Sequence, residues 1–352
     1  MPDWTKSMVQ TYEYYVVDPG TWMDSAQIDT VTRSTINRDA SAETLGSATI
    51  DMTGEIDECY IRIYLVTIQN GVEEKFALGT YLVQTPSFTF DGKTTNRSLD
   101  AYTPLIELKE NPPDFGYTVM KGNNIMDIAG RLTEEHTRAP VITTTSTKNM
   151  YTNFVADAND TWLSYIKALI ENARYEFAIN PLGEILFAPI RNFSALRHVW
   201  EYNDNNSSIL YPEIVYEEDL YAIPNVVEVV YSSNEHVYTA RVVNKSRDSV
   251  VSTVNRGREI LYRDVSPSFA GVPSKAEVQE YAENLLEALS SVQCTLTYTH
   301  GYCPVKLKDC VLLNYERAGL KNIKAQVIKQ SISCTPGCPV EETAVYTKNL
   351  WR

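Results

Sequence analysis

Residues 57–69 (DECYIRIYLVTIQ) are dense in β-branched and aromatic side chains and stop at Asn70-Gly71. That pair tolerates positive φ and is the strongest short hairpin signal. The return strand is 75–83 (KFALGTYLV). A second hairpin follows, with strands 86–90 and 93–99 joined at Asp91-Gly92, and 44–51 is a further strand candidate. A meander of this length curls into a barrel or sandwich. The expectation is a first β-barrel domain over residues 1–110.

Residues 109–116 (KENPPDFG) interrupt the pattern. Two consecutive prolines fit neither a helix interior nor a central strand, so a domain boundary is placed here. Beyond it the period changes to that of a helix. Ile125, Ile128, Ala129 and Leu132 recur at helical spacing behind Asn123 or Asn124 as cap. Residues 143–147 are a Thr/Ser-rich loop or edge strand. Asp160 or Thr161 caps a second helix with Trp162, Leu163, Ile166, Leu169 and Ile170 on one face. A hairpin with strands 175–179 and 184–188 turns at Asn180-Pro181-Leu182-Gly183. The polar run 203–208 (NDNNSS) is a second linker candidate, which delimits an α+β insert over 111–205.

The last part returns to strands at 225–232, 238–244, 259–264, 292–299, 310–315, 323–333 and 342–351. Ser274 and Glu277 form a capping box ahead of Val278, Tyr281, Ala282, Leu285 and Leu289. The expected fold class is therefore β-rich α+β. Two β-barrel domains of the tube type are separated by a small α+β insert. The second barrel, 206–352, carries one amphipathic helix packed on it.

Composition narrows the function. The chain has 352 residues, 45 Asp plus Glu against 31 Lys plus Arg, and a formal net charge of −14. Wrapping a phosphate backbone needs the opposite sign, so sequence-specific nucleic-acid binding is not expected. No apolar run approaches the roughly 20 residues of a membrane helix, so membrane insertion is not expected either. The first 17 residues lack the basic-then-apolar layout of a secretory signal. Tyrosine is over-represented, 23 against 9 Phe and 5 Trp. Strand bias accounts for it first and half-wet interfaces second.

Candidate chemistry is sparse. Of the six cysteines, only Cys334 and Cys338 are close, across the turn-forming Thr335-Pro336-Gly337. Three intervening residues, unrepeated elsewhere, do not make a zinc pattern. The expected reading is small buried thiols, with no metal and no cofactor. The four histidines, 136, 198, 236 and 300, show no metal-ligand spacing. Glu134-Glu135-His136 reads as a solvated helix end. The carboxylate pairs Glu73-Glu74, Glu217-Glu218-Asp219 and Glu341-Glu342 fall in strand-like runs, where neighbours face opposite sides, and are expected to be solvated. Neither a nucleophile elbow nor a phosphate-cradling loop is present. No catalytic residue is named, and a structural component is expected rather than an enzyme.

Three stretches resemble phage tail proteins. Leu78-Gly79-Thr80-Tyr81-Leu82-Val83, followed by Pro86, Asp91-Gly92 and Ser98-Leu99-Asp100-Ala101-Tyr102, is similar to the first barrel of baseplate hub proteins of the Mu and defective-prophage type. The helix and hairpin over 162–189, with the run FAINPLGEILFAP, are similar to the insert of those hubs. Ile223-Pro224-Asn225-Val226-Val227-Glu228-Val229 is similar to the opening of their second barrel.

The resemblance implies a homotrimer in which each chain supplies two similar barrels to a six-barrel ring. That ring would adapt a hexameric tail tube to a three-fold central spike and start tube assembly. The implied partners are the tail tube protein and the central spike protein, with a tape measure protein as a further candidate. The implied location is the virion tail baseplate, assembled in the host cytoplasm. Negative walls would keep a DNA channel from binding its cargo. Interface candidates come from the apolar β-rich runs: Tyr60, Tyr64, Tyr81, Val227, Val229 and Tyr231. Strand alternation makes a core position equally expected for each. The rival readings are a receptor- or carbohydrate-binding β protein of the tail tip and a tail-associated cell-wall hydrolase.

Overall fold

The computed structural model describes every residue except Asn234, Ala270 and Arg352, and every other side chain except those of Thr85, Pro86 and Ser194. The protein is β-rich α+β. Seven strands open the chain: β1 (Val9–Val17), β2 (Asp24–Gln27), β3 (Val31–Asp39), β4 (Gly46–Met52), β5 (Tyr60–Gln69), β6 (Val72–Phe90) and β7 (Thr95–Tyr102). They lie side by side in the order β3-β4-β7-β6-β5-β1-β2, each neighbouring pair antiparallel. Asn70 and Gly71 both take positive φ, 54° and 79°, as the hairpin between β5 and β6 requires.

The runs 75–83 and 86–90, expected as separate strands, are one strand. The first half of β6 pairs with β5, from Gln69↔Val72 to Tyr60↔Leu82, and the second half with β7, from Leu82↔Tyr102 to Phe90↔Thr95. The change of partner coincides with a register irregularity between Val83 and Thr85. Such a bulge bends a strand without ending it.

Next comes the helical module. Helix α1 (Ile106–Glu110) stops directly before Asn111-Pro112-Pro113. Then follow β8 (Thr118–Val119), α2 (Ile125–His136), β9 (Val141–Ile142), β10 (Phe154–Val155), α3 (Trp162–Glu171), β11 (Tyr175–Ile179) and β12 (Ile185–Pro189). Asn124 caps α2 through the Met126 and Asp127 N–H groups. Thr161 and Ser164 form a reciprocal capping box on α3. Residues 143–147 contribute no strand. The short strand lies just before them at β9, which runs parallel to β12. Leu132, Ile166, Leu169, Ile170 and Phe187 share one buried cluster with Trp22, Tyr60 and Leu82 of the first sheet.

The remaining elements are β13 (His198–Asn203), β14 (Leu210–Glu218), β15 (Val226–Ser232), β16 (Val237–Val243), α4 (Thr253–Arg256), β17 (Leu261–Asp264), α5 (Lys275–Leu289), β18 (Ser291–Gly301), β19 (Cys310–Tyr315), β20 (Leu320–Ser333) and β21 (Pro339–Asn349). The chain forms two compact units. One holds residues 1–214 and 298–343, the other 215–297 and 344–352.

The first unit reunites distant segments. Strand β20 pairs antiparallel with β3, from Lys329↔Asp39 to Ser333↔Thr35. It also pairs with β19, which in turn runs parallel to β13. Residues 298–343, read from the sequence beside 206–297, therefore pack with the N-terminal strands. In the second unit, β15 is flanked by β16 and β17. Helix α5 lies on this sheet, with Val278, Ala282 and Leu286 against Val227, Val229 and Ala240. Its Ser274–Glu277 capping box forms as expected.

Candidate interaction surfaces and a sealed polar centre

The six interface candidates divide by burial. Tyr60, Tyr81, Val227 and Val229 are buried within this chain, so they serve its core and offer no surface to a partner. The reason is local. Strand β5 is buried on both faces from Tyr60 to Ile63, including Arg62, which pairs with Asp24 at 2.8 Å, so burial does not alternate along this stretch. Val227 and Val229 lie beneath α5. Tyr64 and Tyr231 keep part of their surface. The Tyr64 hydroxyl donates to Asp24 Oδ2 at 2.8 Å, and the Lys75 ammonium sits 4.0 Å from the ring centroid. Tyr231 stacks on Tyr238 at 6.4 Å and meets Phe269 edge-on at 5.7 Å.

Other side chains are better placed to meet a partner. At the end of the β6–β7 hairpin, Phe88 and Phe90 are 67% and 62% exposed. Being two apart in a strand, they share a face. The Arg97 guanidinium lies over the Phe88 ring at 5.6 Å and pairs with Glu55 at 2.9 Å. The tip is held by Asp91, whose Oδ1 accepts the Lys93 and Thr94 N–H groups at 2.8 and 2.7 Å. This fixes the hairpin while leaving its aromatic face open. The outer strand β2 is exposed at every residue.

A second surface feature is an acidic cleft of about 480 Å³ lined by Glu58, Glu107, Glu110, Glu135, His136 and Arg138, among others. Arg138 donates to Glu107 at 2.5 Å and approaches Glu58 at 3.7 Å. Burial opposes the Arg138 charge, and the Glu107 carboxylate outweighs it, so the guanidinium is held above its ordinary pKa. His136 ends α2 and stacks on Trp162, centroids 4.2 Å apart.

The Glu341-Glu342 pair departs from expectation. Glu342 is fully buried, at the centre of a polar network inside the first unit. Tyr298 donates to its Oε1 at 2.5 Å and Gln330 to its Oε2 at 2.8 Å. His300 Nε2 lies 3.4 Å from Oε2 and 3.0 Å from the Tyr202 hydroxyl. His300 Nδ1 bonds the Gly301 carbonyl at 2.7 Å, and Cys303 Sγ is 3.8 Å from the same nitrogen. Arg38 completes the network by donating to Gln330 Oε1 at 3.0 Å.

Burial alone would lower the His300 pKa. Its contacts with Cys303 and Glu342 outweigh that and raise it to about 10, so His300 is held as imidazolium at neutral pH. Cys303, His300 and Glu342 lie in the order of a nucleophilic triad, but the ring is protonated and its Nδ1 is committed to the Gly301 carbonyl, so it is no free base for the thiol. All three are buried, so the arrangement meets no substrate at the surface. Alternation along β18 and β21 put Tyr298, His300 and Glu342 on inward faces, but the sequence carried no signal that the two strands would meet.

The six cysteines are free thiols. Burial pushes Cys334 up to about 12 and Cys338 up to about 11. Among the described residues, no group of three or more His, Cys, Asp and Glu side chains is arranged to hold a metal ion.

No protein-family model matches the chain, and no curated protein matches it. Solved structures do. A tail protein from Neisseria meningitidis MC58 superposes with a TM-score of 0.61 over 97% of this chain and 98% of its own, at 11% identity. The 43 kDa tail protein of prophage MuSo2 from Shewanella oneidensis superposes with a TM-score of 0.59 over 95% and 98%, at 12% identity. The fold is that of a phage tail protein. A Francisella PdpA–VgrG complex contains a chain of the same fold, with a TM-score of 0.55 at 8% identity, of which this chain spans 58%. The tail-protein fold thus takes in nearly the whole chain.

Proposed function

We propose that the chain is a structural component of a phage-type tail, a baseplate hub. Three copies form a ring that adapts a hexameric tube to a three-fold spike and starts tube assembly. The observation that carries this reading is the end-to-end match to tail proteins, 97% of this chain on 98% of the Neisseria protein. A closed ring needs heterologous contacts that repeat around an axis, and the exposed Phe88/Phe90 face and the β2 edge are surfaces of that kind. Residues 1–110 and 206–352 supply the tube-like parts in this reading, and 111–205 the insert. The partners are the tube protein, the spike protein and a tape measure protein, and the place is the virion tail, built in the host cytoplasm.

Light scattering across a concentration series tests the ring. A mass three times 39.8 kDa is expected, alone or with the spike protein added. A monomer at every concentration in both conditions overturns it.

A further inference from the structure

A cavity of about 280 Å³ lies between β4, β6 and the β11–β12 hairpin, all within the first unit. Its walls are mainly apolar: Leu45, Leu78, Tyr81, Phe177, Ile179 and Leu186. Its charged lining residues are Arg38, Lys306 and Lys308, with no carboxylate among them. In a chain of net charge −14, this lining reverses the overall balance.

The cations are not equally matched. Lys308 pairs with Glu176 at 2.5 Å. The Arg38 guanidinium donates to two neutral acceptors, Gln330 Oε1 at 3.0 Å and the Leu78 carbonyl at 2.6 Å, which leaves donors of its five N–H groups to spare. Asp309 Oδ2 accepts the Lys306 backbone N–H at 2.8 Å. The Asp309 carboxylate feels the Lys306 charge, whereas the bonds given for the Arg38 guanidinium go to neutral groups. The loop carrying both lysines is strained. Lys308 sits at φ 67° and is held by its N–H bond to the Val327 carbonyl at 2.8 Å. A non-glycine residue at such φ persists only where its surroundings over-determine it, and such positions gather at ligand sites.

We propose that this cavity binds a small amphipathic carboxylate, its alkyl body between Leu78, Phe177 and Leu186 and its head at Arg38 and Lys306. The apolar walls favour a hydrocarbon body. Beside such walls the effective dielectric is low, so the part-buried Arg38 attracts an anion more strongly than it would on an open surface, and the exposed Lys306 adds charge at the mouth. The volume lies near the lower end of the roughly 300–1,000 Å³ usual for ligand sites, which favours a medium-length chain over a full lipid.

Calorimetric titration of the intact protein with decanoate, below its aggregation concentration, tests the site. One decanoate per chain is expected, with decanol and butyrate each binding about tenfold or more weakly, because one lacks the charge and the other the body. Lys306→Glu alters an exposed side chain and should weaken decanoate about tenfold through like-charge repulsion. Ala178→Trp, filling the cavity, should abolish binding, with circular dichroism confirming the fold. Three results would overturn the proposal: no decanoate binding, decanol binding as well as decanoate, or undiminished binding in Lys306→Glu. Capture of an acidic apolar peptide without decanoate would also overturn it, in favour of a protein partner.

Discussion

Around Leu132, Ile166 and Leu169 the interior of the first unit is filled by hydrocarbon and aromatic side chains. Behind β20 it is filled by Tyr202, Tyr298, His300, Gln330 and Glu342, every one of them bonded to another. Both interiors are sealed, but they hold the chain in different ways. Apolar packing rewards volume and tolerates exchange of one shape for a similar one. A buried polar network rewards a single arrangement, because each member left alone carries its full desolvation cost. The polar centre therefore fixes how β13, β18, β20 and β21 meet, while the helical module supplies bulk stability.

The sharpest test of this contrast is Glu342→Ala. It leaves the buried Tyr298 hydroxyl without its acceptor and the buried His300 without its Glu342 partner, and breaking a buried pair costs on the order of 3–5 kcal/mol. Urea unfolding should show a loss of that size. A loss below about 1 kcal/mol, the range of exposed ion pairs, would mean the network holds nothing in register. On the apolar side, Leu169→Ala should cost about 2–5 kcal/mol, and Leu169→Met less than about 1.5 kcal/mol. A Met variant as damaging as the Ala variant would erase the distinction between the two interiors.

An effect of pH is also expected. His300 has its folded pKa raised to about 10 from the ordinary 6.5. Its contribution to stability is complete below about pH 6.5 and is lost as pH rises toward 10. Unfolding midpoints should fall over that window, and His300→Gln should flatten the fall. If the slope is the same in both proteins, other groups set it. The smallest change is at a cap. Thr161→Ala removes one half of the α3 capping box and should cost about 1 kcal/mol, read as a shift in the same denaturation curve.

What was legible in the chain follows from the same contrast. The stripe Trp162, Leu163, Ile166, Leu169 and Ile170 repeats at helical spacing, and all five side chains are buried. The Asn70-Gly71 turn and the Ser274–Glu277 capping box carry their chemistry within a few residues. The polar centre carries none locally. Tyr202, His300, Gln330 and Glu342 come from four strands, and only pairing between distant segments brings them together. For the same reason the apolar runs of β5 and β15 pointed toward an interface when most of their side chains face the interior of this chain. The surface aromatics Phe88 and Phe90 were read only as strand residues, because their exposure depends on what fails to cover them.

The pairing of β3 with β20 also has a consequence for how the protein is made. Thr35 finds its partner in Ser333, so nearly the whole polypeptide must leave the ribosome before that ladder can close. Until then β3 presents an unpaired edge to its surroundings, the kind of edge on which strands of other molecules add. A stalled or truncated copy ending before Leu320 would keep that edge for good. Expression of such a fragment should yield aggregates where the full chain stays dispersed.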